Sequence, residues 1–338
     1  MSAPRDAAPG PPASWHEAAR SLMGEPRLTG PEVAAAAGCS YEDARRLWQA
    51  MGLPPVPEGS RVFTESDVRI VRAVGSLGKQ GGIAPDVVAQ LSRVVGRSMA
   101  NMADAFVSVV AERVGSFEAI GDLDRDGVLA AGVAAYGPAM DPVLLHVWRH
   151  ELLAALLRVL SGAAAGGGQA LAVGFADLVG FTALSQQLDT AELTALVDRF
   201  ETLAYARIVE RGGRVVKMIG DEVMFAADGA TSAAEIALAL VEACAAEPSL
   251  PPVRVGVALG PVLAWEGDLY GPTVNLASRL VAVARPGSVL VSDDLGSRLD
   301  AGALALRRLR PLRLRGIGAV RFWVVRRGPG RRGSVLVP

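Results

Sequence analysis

Helical periodicity dominates the first 160 residues of the chain. Apolar residues recur at three- and four-residue intervals through 28–51, from 63 onward, through 84–113, and from about 142 to 160. The spacing predicts a helix, a turn, a second helix, a loop and a third helix, followed by two longer helices. This half is therefore predicted to be all-α, over residues 15–160 behind a disordered tail, 1–14.

Candidate helix caps support these boundaries. Thr29 and Ser40 precede the first two predicted helices, and Gly38 follows the first. Thr64 and Ser66 are both available to cap the third. Pro142 suits the first turn of the last helix, because a proline there sacrifices no intrahelical hydrogen bond, so we predict that this helix begins near Pro142.

The pattern of apolar residues changes after three consecutive glycines at 166–168. Short apolar runs of strand length alternate with helical segments, in the order strand, helix, strand, strand, helix, strand, with a hairpin signal at 219–221. That order is typical of an α+β, ferredoxin-like βαββαβ sheet covered by helices. We predict a linker over 161–169, the α+β domain over 170–327, and a flexible tail over 328–338.

Composition narrows the function classes. The 338 residues carry 34 basic and 35 acidic side chains, a formal net charge of −1, so no global field attracts nucleic acid, which is an unlikely partner. The two cysteines show no disulfide or zinc spacing, which fits a reducing compartment. The N-terminus lacks a secretory pattern and the Gly- and Ala-rich stretch 159–176 makes a poor membrane helix, so we predict a cytoplasmic location without a membrane partner.

Two aspartates stand at the ends of strand-like runs. Asp177 ends the run GFAD, and Asp221 lies in the hairpin KMIGDEVMF. Either residue alone is explained as well by a salt bridge or an exposed turn. If the first strand lies beside the hairpin, both carboxylates meet at one end of the sheet, which is the donor set that Mg²⁺ prefers beside phosphates and water.

After Asp177 come Leu178, Val179, Gly180, Phe181 and Thr182, and then a predicted helix. A glycine permits close backbone approach, and free N–H groups at a helix start cradle phosphate, although glycine before a helix is also common punctuation. Beside Asp177, the segment points to a metal-bound polyphosphate.

Three motifs in one order resemble the catalytic domain of class III nucleotidyl cyclases: FADLVGFT, RVVKMIGDEVMF and YGPTVNLASRL, within roughly 170–327. The resemblance implies which residues bind the metal ions, which bind the purine and the ribose, and which stabilise the transition state. It assigns two Mg²⁺ ions, with Mn²⁺ as an alternative, to Asp177, Asp221 and the backbone of Leu178. It assigns the purine to Lys217 and Asp268, the ribose to Asn275, and transition-state charge to Arg279.

The residue types agree with these roles, and ordinary explanations stand beside them. Asn275 and Arg279 are four apart and share a helix face, which is also typical of a solvated polar face. Lys217 is one of two lysines in a chain that otherwise uses arginine. One donor and one acceptor, from Lys217 and Asp268, could read adenine or guanine; the resemblance favours adenine, since guanylyl members typically carry Glu and Cys there.

Arg315, in LRLRGIG, stands where the family commonly has a lysine that binds the triphosphate. The charge is retained, but a forked cation replaces a point charge. The alternative is that Arg315 belongs to a generally basic C-terminal stretch.

The resemblance implies that ATP is converted to 3′,5′-cyclic AMP and pyrophosphate in a head-to-tail homodimer. Lys217 and Asp221 are four residues apart around one hairpin, so one copy would struggle to place purine and metal sites on one ATP. We therefore predict a homodimer with two shared sites. The alternatives are a guanylyl cyclase, or a DNA-binding regulator that only senses nucleotide.

The N-terminal half resembles a MerR-type helix-turn-helix over residues 28–76, reused as a regulatory, autoinhibitory domain of the kind found in actinobacterial cyclases. Its second helix, SYEDARRLWQAM, balances two acids against two arginines, which argues against DNA binding. His146 and His150 lie four apart on the last helix; a packed or solvated pair is the plainer interpretation, and a pH sensor the alternative.

Overall fold

The computed structural model describes residues 15–115, 125–160, 170–300, 302 and 304–328. The chain divides into two compact units, Met1–Ala155 and Leu156–Pro338. The predicted tail 1–14, the linker 161–169 and nearly all of the tail 328–338 lie outside the described residues. The domain boundaries drawn at those segments remain predictions.

The first unit is helical over its described residues. Its helices are α1 (Trp15–Met23), α2 (Gly30–Ala37), α3 (Tyr41–Ala50), α4 (Glu65–Gly81), α5 (Pro85–Gly115) and α6 (Arg125–Leu160), the last of which continues into the second unit. Thr29 caps α2 in a reciprocal capping box with Glu32, and Ser40 caps α3. Of the two candidates for α4, Thr64 is the cap. Local cap chemistry therefore set these three starts as predicted.

Helices α2, α3 and α4 share one small core. Val33, Ala44 and Val68 are buried in it, and the Trp48 ring stacks on Phe63 with centroids 4.4 Å apart. An isolated antiparallel bridge joins Leu28 to Phe63 and ties the loop before α4 to the start of α2. The helix, turn, helix, loop and helix order is present, while a relationship to MerR-type domains remains a prediction.

Helix α6 corrects the predicted start near Pro142. It begins at Arg125 and contains both Pro138 and Pro142, because the alanine-rich segment before the prolines is itself a good helix former. Each proline removes one backbone hydrogen bond of the helix. Because the two prolines are four residues apart, both missing bonds lie on the same side of the helix.

In the described residues, α6 alone contains a segment, Gly127–Leu160, that is long and apolar enough to cross a membrane, by length and composition only. The prediction that no membrane is involved stays a prediction.

The second unit contains a seven-stranded sheet in the order β2-β3-β1-β4-β7-β11-β8. Its strands are β1 (Ala170–Leu178), β2 (Arg214–Ile219), β3 (Glu222–Ala227), β4 (Val253–Pro261), β7 (Val289–Ser292), β8 (Leu304–Arg308) and β11 (Phe322–Arg327). The outer hairpins are β5 (Leu263–Trp265) with β6 (Asp268–Tyr270), and β9 (Leu312–Leu314) with β10 (Gly318–Val320). The helices are α7 (Phe181–Leu184), α8 (Thr190–Val209), α9 (Ala230–Ala246), α10 (Pro272–Val283) and α11 (Asp293–Gly296).

The predicted βαββαβ order is confirmed as β1-α8-β2-β3-α9-β4, with β1 between β3 and β4. Pairing is antiparallel throughout the sheet except between β4 and β7. The three-residue strands of the two outer hairpins went unpredicted, because runs that short show no period.

The two faces of this sheet have different covers. Apolar side chains of α8 and α9 pack on one face, and α10 packs on the other. Helix α10 lies almost on the backbone of β4: a Cβ built on Gly256 would stand 2.2 Å from the Val281 nitrogen. The glycine thereby fixes how close α10 sits to the strands that carry the predicted site.

Candidate functional site

Strand pairing brings the two predicted metal-binding aspartates together. Asp177 lies near the end of β1, opposite Glu222 of β3, and Asp221 lies in the turn just before β3. The Leu178 N–H donates to the Asp221 carbonyl at 3.1 Å, which holds the strand end against the turn. The expectation that both carboxylates meet at one end of the sheet is met by the structure.

The pKa values of Asp221 and Glu222 are shifted because these acids lie close to Asp177 and are partly buried. Burial raises the pKa of Asp221, and the neighbouring Asp177 carboxylate raises it further. Burial, followed by the charges of Asp177 and Asp221, raises the pKa of Glu222 to about 7. Three acids at one strand end repel each other, and a bound cation would relieve that repulsion.

Arg254 is a site residue that sequence analysis missed. It lies on β4 directly opposite Asp177, and its Nε donates to Asp177 Oδ2 at 2.6 Å. A second guanidinium nitrogen donates to the Ala282 carbonyl at the end of α10, at 3.4 Å. The salt bridge considered for Asp177 is thus present, and it places a cation beside the aspartate pair instead of removing the pair from the site.

Lys217 and Asp268, which the resemblance assigns to the purine, form an ion pair with each other. Lys217 lies in β2 and Asp268 begins β6, and the lysine Nζ stands 2.5 Å from Asp268 Oδ2. Burial favours the neutral acid, but hydrogen bonds from Lys217 and from the Leu269 N–H outweigh it, so the pKa of Asp268 lies below its ordinary value. One donor and one acceptor are therefore held side by side as a charged pair.

Asn275 and Arg279 lie on the exposed side of α10, and Ala277 and Leu280 are buried on its other side. Within the described part of the chain, neither polar side chain has a hydrogen-bond partner. The two residues thus share one exposed helix face, as their four-residue spacing predicted, while their roles toward a ligand remain predictions.

The remaining predicted phosphate contacts are the segment Gly180–Thr182, shortly after Asp177 in the chain, and Arg315. Gly180, with φ of +80°, precedes α7, whose first residues are Phe181 and Thr182; the helix has only four residues. Arg315 lies in the exposed turn between β9 and β10, and no described residue forms a hydrogen bond or ion pair with it. The phosphate roles of these residues remain predictions.

The donor set fits a divalent cation that takes few protein ligands. Although Asp177, Asp221 and Glu222 lie at one strand end, no three such side chains in the described ranges are arranged to hold a metal ion by themselves. Two neighbouring carboxylates, Asp177 and Asp221, are what Mg²⁺ uses when substrate phosphates and water complete its octahedron.

Comparisons with known proteins show the family to which the chain belongs. The model of the adenylate and guanylate cyclase catalytic domain matches residues 165–327. An adenylate cyclase of Streptomyces coelicolor is 36% identical over 345 residues, covering 93% of this chain and 89% of its own. An adenylate cyclase of Glutamicibacter nicotianae is 34% identical over 92% of this chain and 81% of its own. One of Streptomyces griseus is 36% identical over 82% of this chain and 70% of its own.

The match to the cyclase catalytic domain covers every strand of the β-sheet unit described above, including the paired acids at the end of β1. The chain belongs to the class III adenylate and guanylate cyclases, which confirms the resemblance seen in the sequence motifs. Within that family it stands with the actinobacterial adenylate cyclases, which it matches through both of its units.

Proposed function

We propose that this protein converts ATP to 3′,5′-cyclic AMP and pyrophosphate. The observation that carries the proposal is that Asp177, near the end of β1, and Asp221, in the turn before β3, lie close together. In the reaction the ribose 3′-oxygen forms a bond to the α-phosphorus, and the bond from that phosphorus to the pyrophosphate oxygen breaks. The proton of the 3′-hydroxyl leaves with solvent.

We propose that Asp177 and Asp221, with the backbone of Leu178, hold two Mg²⁺ ions, for which Mn²⁺ is an alternative. When bound, such ions lower the pKa of a coordinated hydroxyl and offset charge on the phosphates. Arg254 lies beside Asp177, and its guanidinium would be free to pair with a phosphate oxygen if a bound cation took its place on that carboxylate.

The other predicted residues act on the ends of the nucleotide. Lys217 donates to adenine N1 and Asp268 accepts from its amino group, a polarity that guanine does not offer at the same two atoms. Asn275 orients the ribose, and the Arg279 guanidinium stabilises charge that builds on phosphorus. Arg315, with Gly180, Phe181 and Thr182, contacts the triphosphate.

We propose that the active site is shared between two copies of the chain. One protomer would contribute the metal-binding acids, and its partner would contribute the purine, ribose and transition-state residues. In support, Asn275 and Arg279 are exposed in the single chain and unpartnered among its described residues.

Complementation tests the function and the shared site together. Asp177→Ala and Asn275→Ala should each lower cyclic AMP formation by roughly 100-fold or more while retaining the wild-type circular dichroism spectrum. An equimolar mixture should recover about a quarter of the wild-type rate, because half of the dimers are mixed and each keeps one intact site of two. Mixed dimers that co-purify through different tags but stay inactive would contradict the shared site. A folded Asp177→Ala protein of normal activity would contradict the metal assignment.

We also propose that the helical unit regulates the cyclase. The support is that the relatives match both units, so the helical unit accompanies the cyclase domain in them. The His146 and His150 rings lie 4.5 Å apart on α6, and their role as a pH sensor remains a prediction.

A further inference from the structure

The β5–β6 hairpin places an exposed tryptophan beside Asp268. A two-residue turn, Glu266 and Gly267, joins the strands, and both of its residues have positive φ, 51° and 83°. Such turns match the twist of the strands, and they fix the register in which Trp265 lies directly opposite Asp268. Directly opposed residues project from the same face of a hairpin, with Cβ atoms about 5 Å apart.

The opposite face of the hairpin is occupied by the core. Leu269 is buried there against α10 and the sheet, and it fixes the side on which its neighbours project. Trp265 therefore shares the outer face with Asp268, and the indole is half exposed, at 50%. The main-chain register, and not a flexible loop, holds this ring next to the Lys217–Asp268 pair.

The ion pair alone is a weak source of affinity for a base. Lys217 and Asp268 already satisfy each other at 2.5 Å, and the lysine side chain is 41% exposed. A purine that hydrogen bonds to both must replace an existing contact and their water, so the net gain from those bonds is small. The pair therefore selects the edge of the base, and a further contact is needed to hold its face.

We propose that the Trp265 indole is that contact, and that it stacks on the purine ring whose edge is bound by Lys217 and Asp268. The inference rests on the proposed function and adds a binding residue to its purine site. Stacking on an aromatic ring is insensitive to which base is bound, so Trp265 supplies affinity while the ion pair supplies base selection.

The experiment measures nucleotide binding and turnover in the full-length protein. Binding of α,β-methylene-ATP, which the enzyme does not cyclise, is followed by isothermal titration calorimetry, and KM and kcat are obtained from cyclic AMP formation. The variants are Trp265→Ala, Trp265→Phe and Lys217→Ala. Leu263→Ala is the matched control, because Leu263 lies on the same strand and face and is even more exposed, at 60%. Sedimentation velocity reports the oligomeric state of each.

Trp265→Ala should weaken analogue binding about tenfold and raise KM by about the same factor, and kcat should change less than KM. A tenfold loss of affinity is within the range for base–aromatic stacking. Trp265→Phe should restore most of the affinity, because a ring is retained. It should also abolish any change in tryptophan emission that the analogue causes in the wild type. Leu263→Ala should bind the analogue as the wild type does.

Two results would overturn the proposal. One is wild-type affinity in Trp265→Ala while Lys217→Ala binds weakly, which leaves the proposed function standing and removes only the stacking. The other is parallel loss of binding in Trp265→Ala and Leu263→Ala with both proteins monomeric, which assigns this face to a contact between copies. If Lys217→Ala also binds normally, the assigned purine site itself is wrong, a failure distinct from either.

Discussion

Replacing Gly256 by alanine tests whether the seating of α10 on the sheet governs catalysis. A Cβ at this position would lie 2.2 Å from the Val281 nitrogen and 2.7 Å from the Ala277 carbonyl oxygen, and both are backbone atoms that cannot rotate away. Ordinary contacts begin near 3.4 Å, so the helix must retreat by 3.4 − 2.2, or 1.2 Å. Because Asn275 and Arg279 lie on that helix, they must move with it.

Both stability and turnover should respond. Overpacking of this kind destabilises by about 1–3 kcal/mol, which corresponds to a fall in melting temperature of roughly 3–10 °C for a unit of this size. If Asn275 and Arg279 act as proposed, a displacement of these groups near 1 Å costs up to about 100-fold in rate. We therefore expect Gly256→Ala to fold, to melt several degrees lower, and to lose roughly 10- to 100-fold in kcat at temperatures where it remains folded.

Thermal unfolding by circular dichroism and a cyclic AMP assay measure the two effects. Gly75→Ala is the control, because it makes the same chemical change on the exposed side of α4, where no atom lies within 4 Å of the added carbon. It should leave kcat unchanged and melt at or slightly above the wild-type temperature. A Gly256→Ala protein with both wild-type stability and wild-type kcat would refute the link between α10 seating and activity.

Two further predictions concern the metal-binding acids and the helical unit. Arg254→Gln leaves Asp177 without its paired cation beside Asp221, so the metal-free variant should have a lower melting temperature than the wild type. Saturating Mg²⁺ should raise the melting temperature of the variant more than that of the wild type. An equal rise in both, measured by differential scanning fluorimetry, would contradict this prediction. Residues 165–338 alone should form cyclic AMP at a rate different from that of the full chain at equal concentration of folded protein, and identical rates across pH and ATP concentration would exclude control by the helical unit.

Local signals predicted much of the architecture. The caps Thr29, Ser40 and Thr64 act within three residues, so the sequence contains all that is needed to place the helix starts. The meeting of Asp177 with Asp221 followed from assuming one strand pairing, and that pairing is present.

The missed features depend on long-range register. Arg254 looks like any other arginine in a chain rich in them, and only the β1–β4 pairing, across 77 residues, sets it opposite Asp177. The predicted start of α6 was wrong because a proline is common in the first turn of a helix, whereas Pro142 lies inside this one. The sequence around Pro142 does not by itself distinguish the two positions. The sequence does not indicate that Trp265 lies opposite Asp268, because the three-residue strand β5 is too short to show a period and is recognised only by its pairing with β6.

The contact between Arg254 and Asp177 has a consequence for how the enzyme rests between turnovers. Three acids and one arginine at this strand end sum to −2 when all are ionised, which is the charge that one divalent ion cancels. The Arg254 guanidinium is the counter-ion that the chain itself supplies to Asp177, and a divalent cation held by Asp177 and Asp221 would balance the charge that remains. A second divalent ion would then find no unbalanced protein charge at this strand end, and the ATP polyphosphate would have to supply most of its ligands.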